Sequence, residues 1–244
     1  MGNKRVLFVV EGSKTENKYV VNTFKRVMRS NDEEINVHKY STNIYGLYDV
    51  LQTGEYDSFI DYLRIKEKRL FRNNIKPSDY FSAIYLVFDL DPQDLRFSIS
   101  KCEWLINYFN DETRNGKLYF NYPMVEAMFD CTTLNQKHFN NRKVSRIGLS
   151  SASYKTHISR TSIIMTKSGF SFKKRGILYS IINLNVNKYF FLINEPRNNS
   201  YSSQDKLLKA EKLFLSVNKI SVINSSMLIL HDYNGTMLDK LSKE

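Results

Sequence analysis

Two short apolar runs, each cut off by acid, constrain this chain more than any other feature. Residues 6–10 (VLFVV) stop at Glu11-Gly12, and residues 84–88 (IYLVF) stop at Asp89-Leu90-Asp91. Unbroken apolar runs of this length, bounded by turn signals, predict strands buried on both faces, as in parallel sheets covered by helices. Open α/β sheets bind their ligands beyond the carboxyl ends of the strands, so acid at those ends lies where chemistry is expected. With a strand period of two, Asp89 and Asp91 can face one crevice. Adjacent strands would bring Glu11 to it as a third carboxylate. The expected fold is therefore α/β: a mainly parallel, Rossmann-like sheet flanked by helices, with a mostly helical C-terminal part.

The remaining elements follow from periodicity and punctuation. Ser13-x-x-Glu16 is a capping-box pattern, predicting a helix that opens at Ser13 and carries Tyr19, Val20, Phe24 and Val27 on its apolar face. Residues 35–40 predict a second strand, and residues 44–70 predict two helices broken at Gly54. The basic end of the second, residues 64–72, reads as a solvated face. Pro92 forces a turn after the second acidic strand. Residues 98–109 have a helical pattern, Asn115-Gly116 a turn, and residues 117–121 a strand; Pro123 suits the first turn of a short helix. Beyond Cys131 the chain becomes polar, basic and Ser-rich to about residue 174. Residues 177–191 and 207–217 then look helical, and 218–233 read as core helix or a last strand. Two parts are expected, residues 4–130 and 131–244.

Composition enters through charge. The 244 residues carry a formal net charge of +11, which sits oddly beside an acidic cluster. A broad basic surface for phosphates with a small acidic site for cations reconciles the two; a Lys-, Asn-, Ile- and Tyr-rich coding bias is the plainer alternative. No long apolar span and no signal-peptide pattern is seen, so no membrane association and a cytoplasmic location are expected. Cys102 and Cys131 lack metal-ligand spacing and are expected to be reduced and structural. His38, His138, His157 and His231 read as structural or surface residues.

Metal-assisted phosphoryl chemistry needs hard oxygen ligands, and Mg²⁺ takes one or two carboxylates together with waters and phosphate oxygens. Gly12, lacking a Cβ, would allow a tight strand-to-helix turn and the close approach of a phosphate. Each acid alone has a plain explanation: Glu11 can favour a helix dipole, Glu16 can serve the capping box, and Asp before Pro is a common turn residue. D-x-D also occurs in sugar-nucleotide transferases and aspartate-nucleophile phosphatases. The phosphatase pattern wants Thr or Val where this chain has Gln93.

Taken together, Glu11 to Glu16 (E-G-x-x-T-E) and Phe88 to Asp91 (F-D-x-D) resemble a Toprim domain, most of all the RloB-type and OLD-type nucleases of bacterial phage defence. The resemblance covers roughly residues 4–129. It implies Mg²⁺ or Mn²⁺ as cofactor, Glu11 as general acid/base or metal ligand, and Asp89 and Asp91 as metal holders. Asn121 to Glu126 (NYPMVE) resembles the segment after the next strand in such relatives, which adds Glu126 as a fourth acid. The implied activity is nucleic-acid cleavage, of DNA or tRNA, by a toxic effector of antiphage abortive infection. No G-x-x-x-x-G-K-[ST] is present, so the chain departs from the large OLD proteins and is expected to act with a separate ATPase sensor; a homodimer is a further expectation. Lys14, Lys155, Lys173, Lys174 and Arg175 are the basic residues expected to meet nucleic acid. The alternative is a non-catalytic nucleic-acid-binding or regulatory subunit of a defence complex.

Overall fold

The computed structural model describes residues 4–12, 15–28, 33–40, 42–68, 81–166, 169–170 and 175–241. β1 (Lys4–Val10) is the first apolar run, buried from Val6 to Val10. A π-helical turn, Asn17–Val21, runs into α1 (Asn22–Met28). Then follow β2 (Glu33–Lys39), α2 (Ile44–Gln52) and α3 (Phe59–Lys66). Asn43 and Ser58 start the two helices by accepting the N–H of Gly46 and Asp61. The second apolar run forms β3 (Ala83–Asp89), and Ser98 caps α4 (Ile99–Tyr108). β4 (Asn110–Asp111) turns into β5 (Gly116–Tyr122).

The main sheet is mixed and mostly parallel, flanked by helices. β1 pairs in parallel with β2 on one side and β3 on the other, in the register Val10↔Lys39 and Val10↔Val87. The strand order 2-1-3 places a topological switch point between β1 and β3, because the chain leaves β1 in one direction and returns on its other side. β5 opens at Gly116, whose φ of +107° suits only glycine and whose missing Cβ makes room for the Leu86 side chain of β3.

Beyond β5 come a 3₁₀ turn, Val125–Phe129, α5 (Gln136–Asn141), β6 (Lys143–Ser145) and α6 (Ser151–Thr161). The small ribbon β7 (Met165–Thr166) and β8 (Gly169–Phe170) precedes α7 (Arg175–Leu192) and α8 (Gln204–Leu215). β9 (Lys219–Ser221) pairs with β6, and β10 (Ile223–Asn224) pairs antiparallel with the end of β5. A 3₁₀ turn, Ser225–Met227, leads into α9 (Leu228–Leu241), kinked at Asn234. Among the described residues no helix is long and apolar enough to cross a membrane.

The chain divides into two compact units, and the division does not fall at residue 130. One unit is Met1–Phe88 with Arg96–Tyr119; the other is Asp89–Leu95 with Phe120–Glu244. β3 and β5 each pass from one unit to the other. The first has an aromatic core: Phe8 lies 5.2 Å from Phe24 and 5.5 Å from Tyr85, and Phe59 lies 5.1 Å from Phe109, between ring centroids. The second buries polar groups: Asp130, Asn185, Lys188, Glu211 and Asn224 are all essentially inaccessible.

Several expectations are revised. The polar stretch 135–174 holds α5, β6 and α6, which periodicity missed because α6 buries only Tyr154 and Ile158. Residues 218–233 supply both strand and helix. Pro123 stands outside the short helix, after a cis Tyr122–Pro123 bond; the helix starts at Val125, whose N–H the Asp89 carboxylate accepts at 2.7 Å. Of the basic segment 64–72, residues 69–72 lie outside the described residues, and Arg64 pairs with Asp61 at 3.6 Å.

Candidate functional site at the acidic turn

The site starts where β3 runs out. Asp89 is the last strand residue, and its Oδ1 accepts the Val125 N–H and, at 3.4 Å, the Asn121 side-chain amide. Leu90 N–H donates to the Asn121 carbonyl at 3.0 Å, so the chain still follows β5 for one residue. It then turns sharply. Asp91 has φ +43°, in the left-handed region that non-glycine residues seldom adopt, and its carbonyl accepts the Asp94 N–H at 2.9 Å. Strand alternation therefore does not place Asp91, contrary to the sequence expectation; the left-handed turn does.

Around Asp91 the charges converge. Gln93 Nε2 donates to Asp91 Oδ1 at 2.8 Å. Burial pushes the Asp91 carboxyl above the usual carboxylate range, opposed by the Gln93 hydrogen bond; the neighbouring charges of Asp94 and Glu126 add to the rise, and Lys155 opposes it. Glu126, in the 3₁₀ turn, is buried. Its Oε1 pairs with Lys155 Nζ at 3.1 Å, and its Oε2 is shut off from solvent with no hydrogen-bond partner among the described residues. Lys155 reaches it from α6 and is itself half exposed. A buried carboxylate oxygen without a donor is costly, and a cation or a proton is what would satisfy it. The acid turn and Glu126 thus fit a hard divalent ion in donor chemistry. As to number, among the described residues no three His, Cys, Asp or Glu side chains group closely enough to hold a metal.

Glu11 belongs to the first unit. It follows β1, and its N–H donates to the Val87 carbonyl at 3.4 Å, extending the β1–β3 pairing by one step. The space above Gly12 is not open to a phosphate, as the sequence suggested: a Cβ there would fall 2.6 Å from Glu16 Oε2. Glu16, buried just ahead of the π-helical turn, folds back into the room that glycine leaves. Ser13, its expected capping partner, lies outside the described residues. So do Lys14, Lys173 and Lys174, as does the side chain of Arg175 at the start of α7.

No family model, curated protein or solved structure matches this chain. The functional reading therefore rests on the residues themselves, and the second unit adds several that sequence reasoning passed over. Asp130, fully buried, accepts two hydrogen bonds from Arg142 (Nε 3.0 Å, Nη2 3.2 Å) and one from Tyr154 Oη at 3.0 Å. Burial and the adjacent Asp130 charge push the Tyr154 phenol well above its usual range. Arg142 Nη2 also donates to His157 Nε2 at 2.6 Å. Lys188 Nζ donates to the carbonyls of Phe139 and Arg142 at 2.8 and 2.7 Å, and burial pulls its pKa down to about 7. Arg146 Nε donates to the Pro92 carbonyl at 3.1 Å, tying the β6–α6 loop to the acidic turn. Sequence spacing carries no signal for any of these pairs. The cysteines match expectation: both are free and buried, and burial pushes Cys102 to about 12 and Cys131 to about 11.

Proposed function

We propose that this chain is a metal-dependent phosphodiesterase that cleaves nucleic acid, DNA or tRNA, and that it works in the cytoplasm as the toxic effector of an antiphage abortive-infection system with a separate ATPase sensor. The defence role and the partner come from the Toprim resemblance. The observation that carries the chemistry is the buried, donorless Glu126 Oε2 beside the strained Asp91 turn, in a chain whose net charge is +11.

Asp91 and Glu126 would hold Mg²⁺ or Mn²⁺, with phosphate oxygens and water completing its shell and Asp89 beside them at the strand end. Such an ion, once bound, neutralises and polarises a scissile phosphate. The chain's own groups prepare for that. Asp89 fixes the first turn after Pro123 through the Val125 N–H, so the segment bearing Glu126 starts at a set place. Lys155 engages Glu126 Oε1 and adds positive charge at the rim. Glu11, in the first unit, enters only through the Toprim resemblance, as general acid/base or further ligand. A non-catalytic nucleic-acid-binding or regulatory subunit is the second reading, favoured by the lack of a ready three-acid cluster among the described residues.

The test is cleavage of plasmid, single-stranded DNA and total tRNA by the purified chain with Mg²⁺ or Mn²⁺. Asp91→Asn and Glu126→Gln are the informative variants, because Asp89 also supports the 3₁₀ turn. Each is expected to lower metal-dependent cleavage at least 100-fold and to relieve toxicity on expression. Unchanged cleavage in both variants would sink the site, and binding without cleavage by the wild type would select the second reading.

A further inference from the structure

The second unit contains a cavity of about 1120 Å³ between α5 and the ribbon of β6 and β9. Its charge is one-sided: Lys137, Arg142, Lys143 and Lys219 line it together with His138, and no carboxylate lines it among the described residues. The antiparallel register Lys143↔Ser221 and Ser145↔Lys219 puts Lys143 and Lys219 on the same face of the ribbon, at its opposite ends. Four cations facing one cavity repel one another, which a solvated surface would relieve by spreading them apart. Lys137 and Lys219 are exposed and have no ion-pair partner among the described residues. Arg142 is held in place by the buried Asp130 carboxylate, so its guanidinium is presented without loss of side-chain freedom on binding.

The wall of the same cavity is apolar. Val144, Ile147 and Val217 line it, and Ile147 and Val217 are 74% and 60% exposed. Exposed apolar side chains that share a concavity with unpaired cations mark a ligand that is anionic at one end and flat and apolar at the other. A smaller cavity of about 330 Å³ shares Arg142, Lys143, Val144, Ser145 and Ile147 and continues past them to Tyr154 and His157. The two cavities flank β6 and share its basic residues.

We propose that this cavity binds a nucleotide unit, with its phosphate against Lys137, Arg142, Lys143 and Lys219 and its base on the Val144–Ile147–Val217 wall. It is a second site, built from residues other than the acidic turn. The two are joined by the Arg146–Pro92 hydrogen bond, because Arg146 lies between lining residues Ser145 and Ile147. The ligand is either a free nucleotide or one unit of a nucleic-acid strand, which present the same phosphate-and-base chemistry.

Binding is measured by calorimetry on the full chain in EDTA, so that the result does not depend on metal or on cleavage. The probes are AMP, adenosine, inorganic phosphate and 12-nucleotide single strands of RNA and DNA. AMP or the strands should bind the wild type and bind the double variant Lys137→Glu/Lys219→Glu at least tenfold more weakly. Adenosine and phosphate should each bind at least tenfold more weakly than AMP. Saturation by AMP identifies a free nucleotide as the ligand; binding of strands alone identifies a unit within a strand. Because EDTA removes the ion that the acidic site needs, the outcome separates failure of this site from failure of the acidic one. No binding of AMP or strands by the wild type, equal binding by the double variant, or phosphate binding as tightly as AMP would each overturn the proposal. If the charge-reversed variant melts early by circular dichroism, Lys137→Gln/Lys219→Gln carries the same comparison.

Discussion

The two units of this protein are held together by different physics. In the first, Phe8 packs edge to face on Phe24 and Phe59 on Phe109, Tyr85 tilts against Phe8 and Phe24, and burial of apolar area does the stabilising. In the second, charged and amide side chains join the apolar interior, several of them matched to named partners. Asp130 holds Arg142 and Tyr154; Lys188 holds two carbonyls; Glu211 Oε2 accepts the Ser221 N–H at 3.1 Å; Asn224 bridges Val125 and Asn185. An apolar core tolerates shape-preserving change, because what it loses is proportional to area. A paired polar core does not, because removing one partner strands the other in a low dielectric. The second unit, which carries the acidic turn and the basic cavity, is thus the one whose side-chain positions are most strictly set.

That contrast breaks most sharply at Asp130. Asp130→Ala leaves the Arg142 guanidinium and the Tyr154 hydroxyl without their acceptor and should cost about 3–5 kcal/mol. Phe24→Leu in the first unit should cost only about 1–1.5 kcal/mol. Urea unfolding of both variants gives the comparison directly, and similar losses would show that the two cores do not differ in kind.

Lys188 sharpens it next. Lys188→Met abandons two buried carbonyls and should cost roughly 2–3 kcal/mol. The pH dependence has a definite sign. The folded-state pKa of Lys188 is depressed to about 7 from 10.5, so between those values the unfolded chain binds a proton that the folded chain has released. Stability from this group is therefore fully present above about pH 10 and is lost as pH falls through 7. Wild type should gain on Lys188→Met by on the order of a kcal/mol between pH 7 and pH 9. A gap that stays constant over that interval would mean Lys188 titrates normally.

The smallest expected effect is at Glu126. One of its oxygens has no donor and its ion-pair partner is half exposed, so Glu126→Gln should change stability by less than about 1 kcal/mol, in either direction. With Mn²⁺ added, thermal shift should separate the proteins: the wild type is stabilised and the variant is not. Equal shifts would place the ion elsewhere.

The two acidic strand runs, most helices, the α/β class and the acids at the ends of β1 and β3 were readable from residue order, because local patterns encode them: apolar runs, helical periodicity, and Pro and Gly breaks. Tertiary structure alone decided the rest. The Asp91 turn depends on backbone pairing with Asn121 and Pro123, some 30 residues on. Glu16 fills the room at Gly12, which the E-G-x-x-T-E motif by itself leaves to a phosphate. The partners Asp130–Arg142, Lys188–Phe139 and Arg146–Pro92 lie 12, 49 and 54 residues apart. The basic cavity arises because β6 and β9 meet across more than 70 residues of chain. One-dimensional patterns record which face of an element is apolar, but which charge meets which is settled only when those faces pack. Residue order therefore located the acids, and the three-dimensional fold determined which of their oxygens is buried without a donor among the described residues.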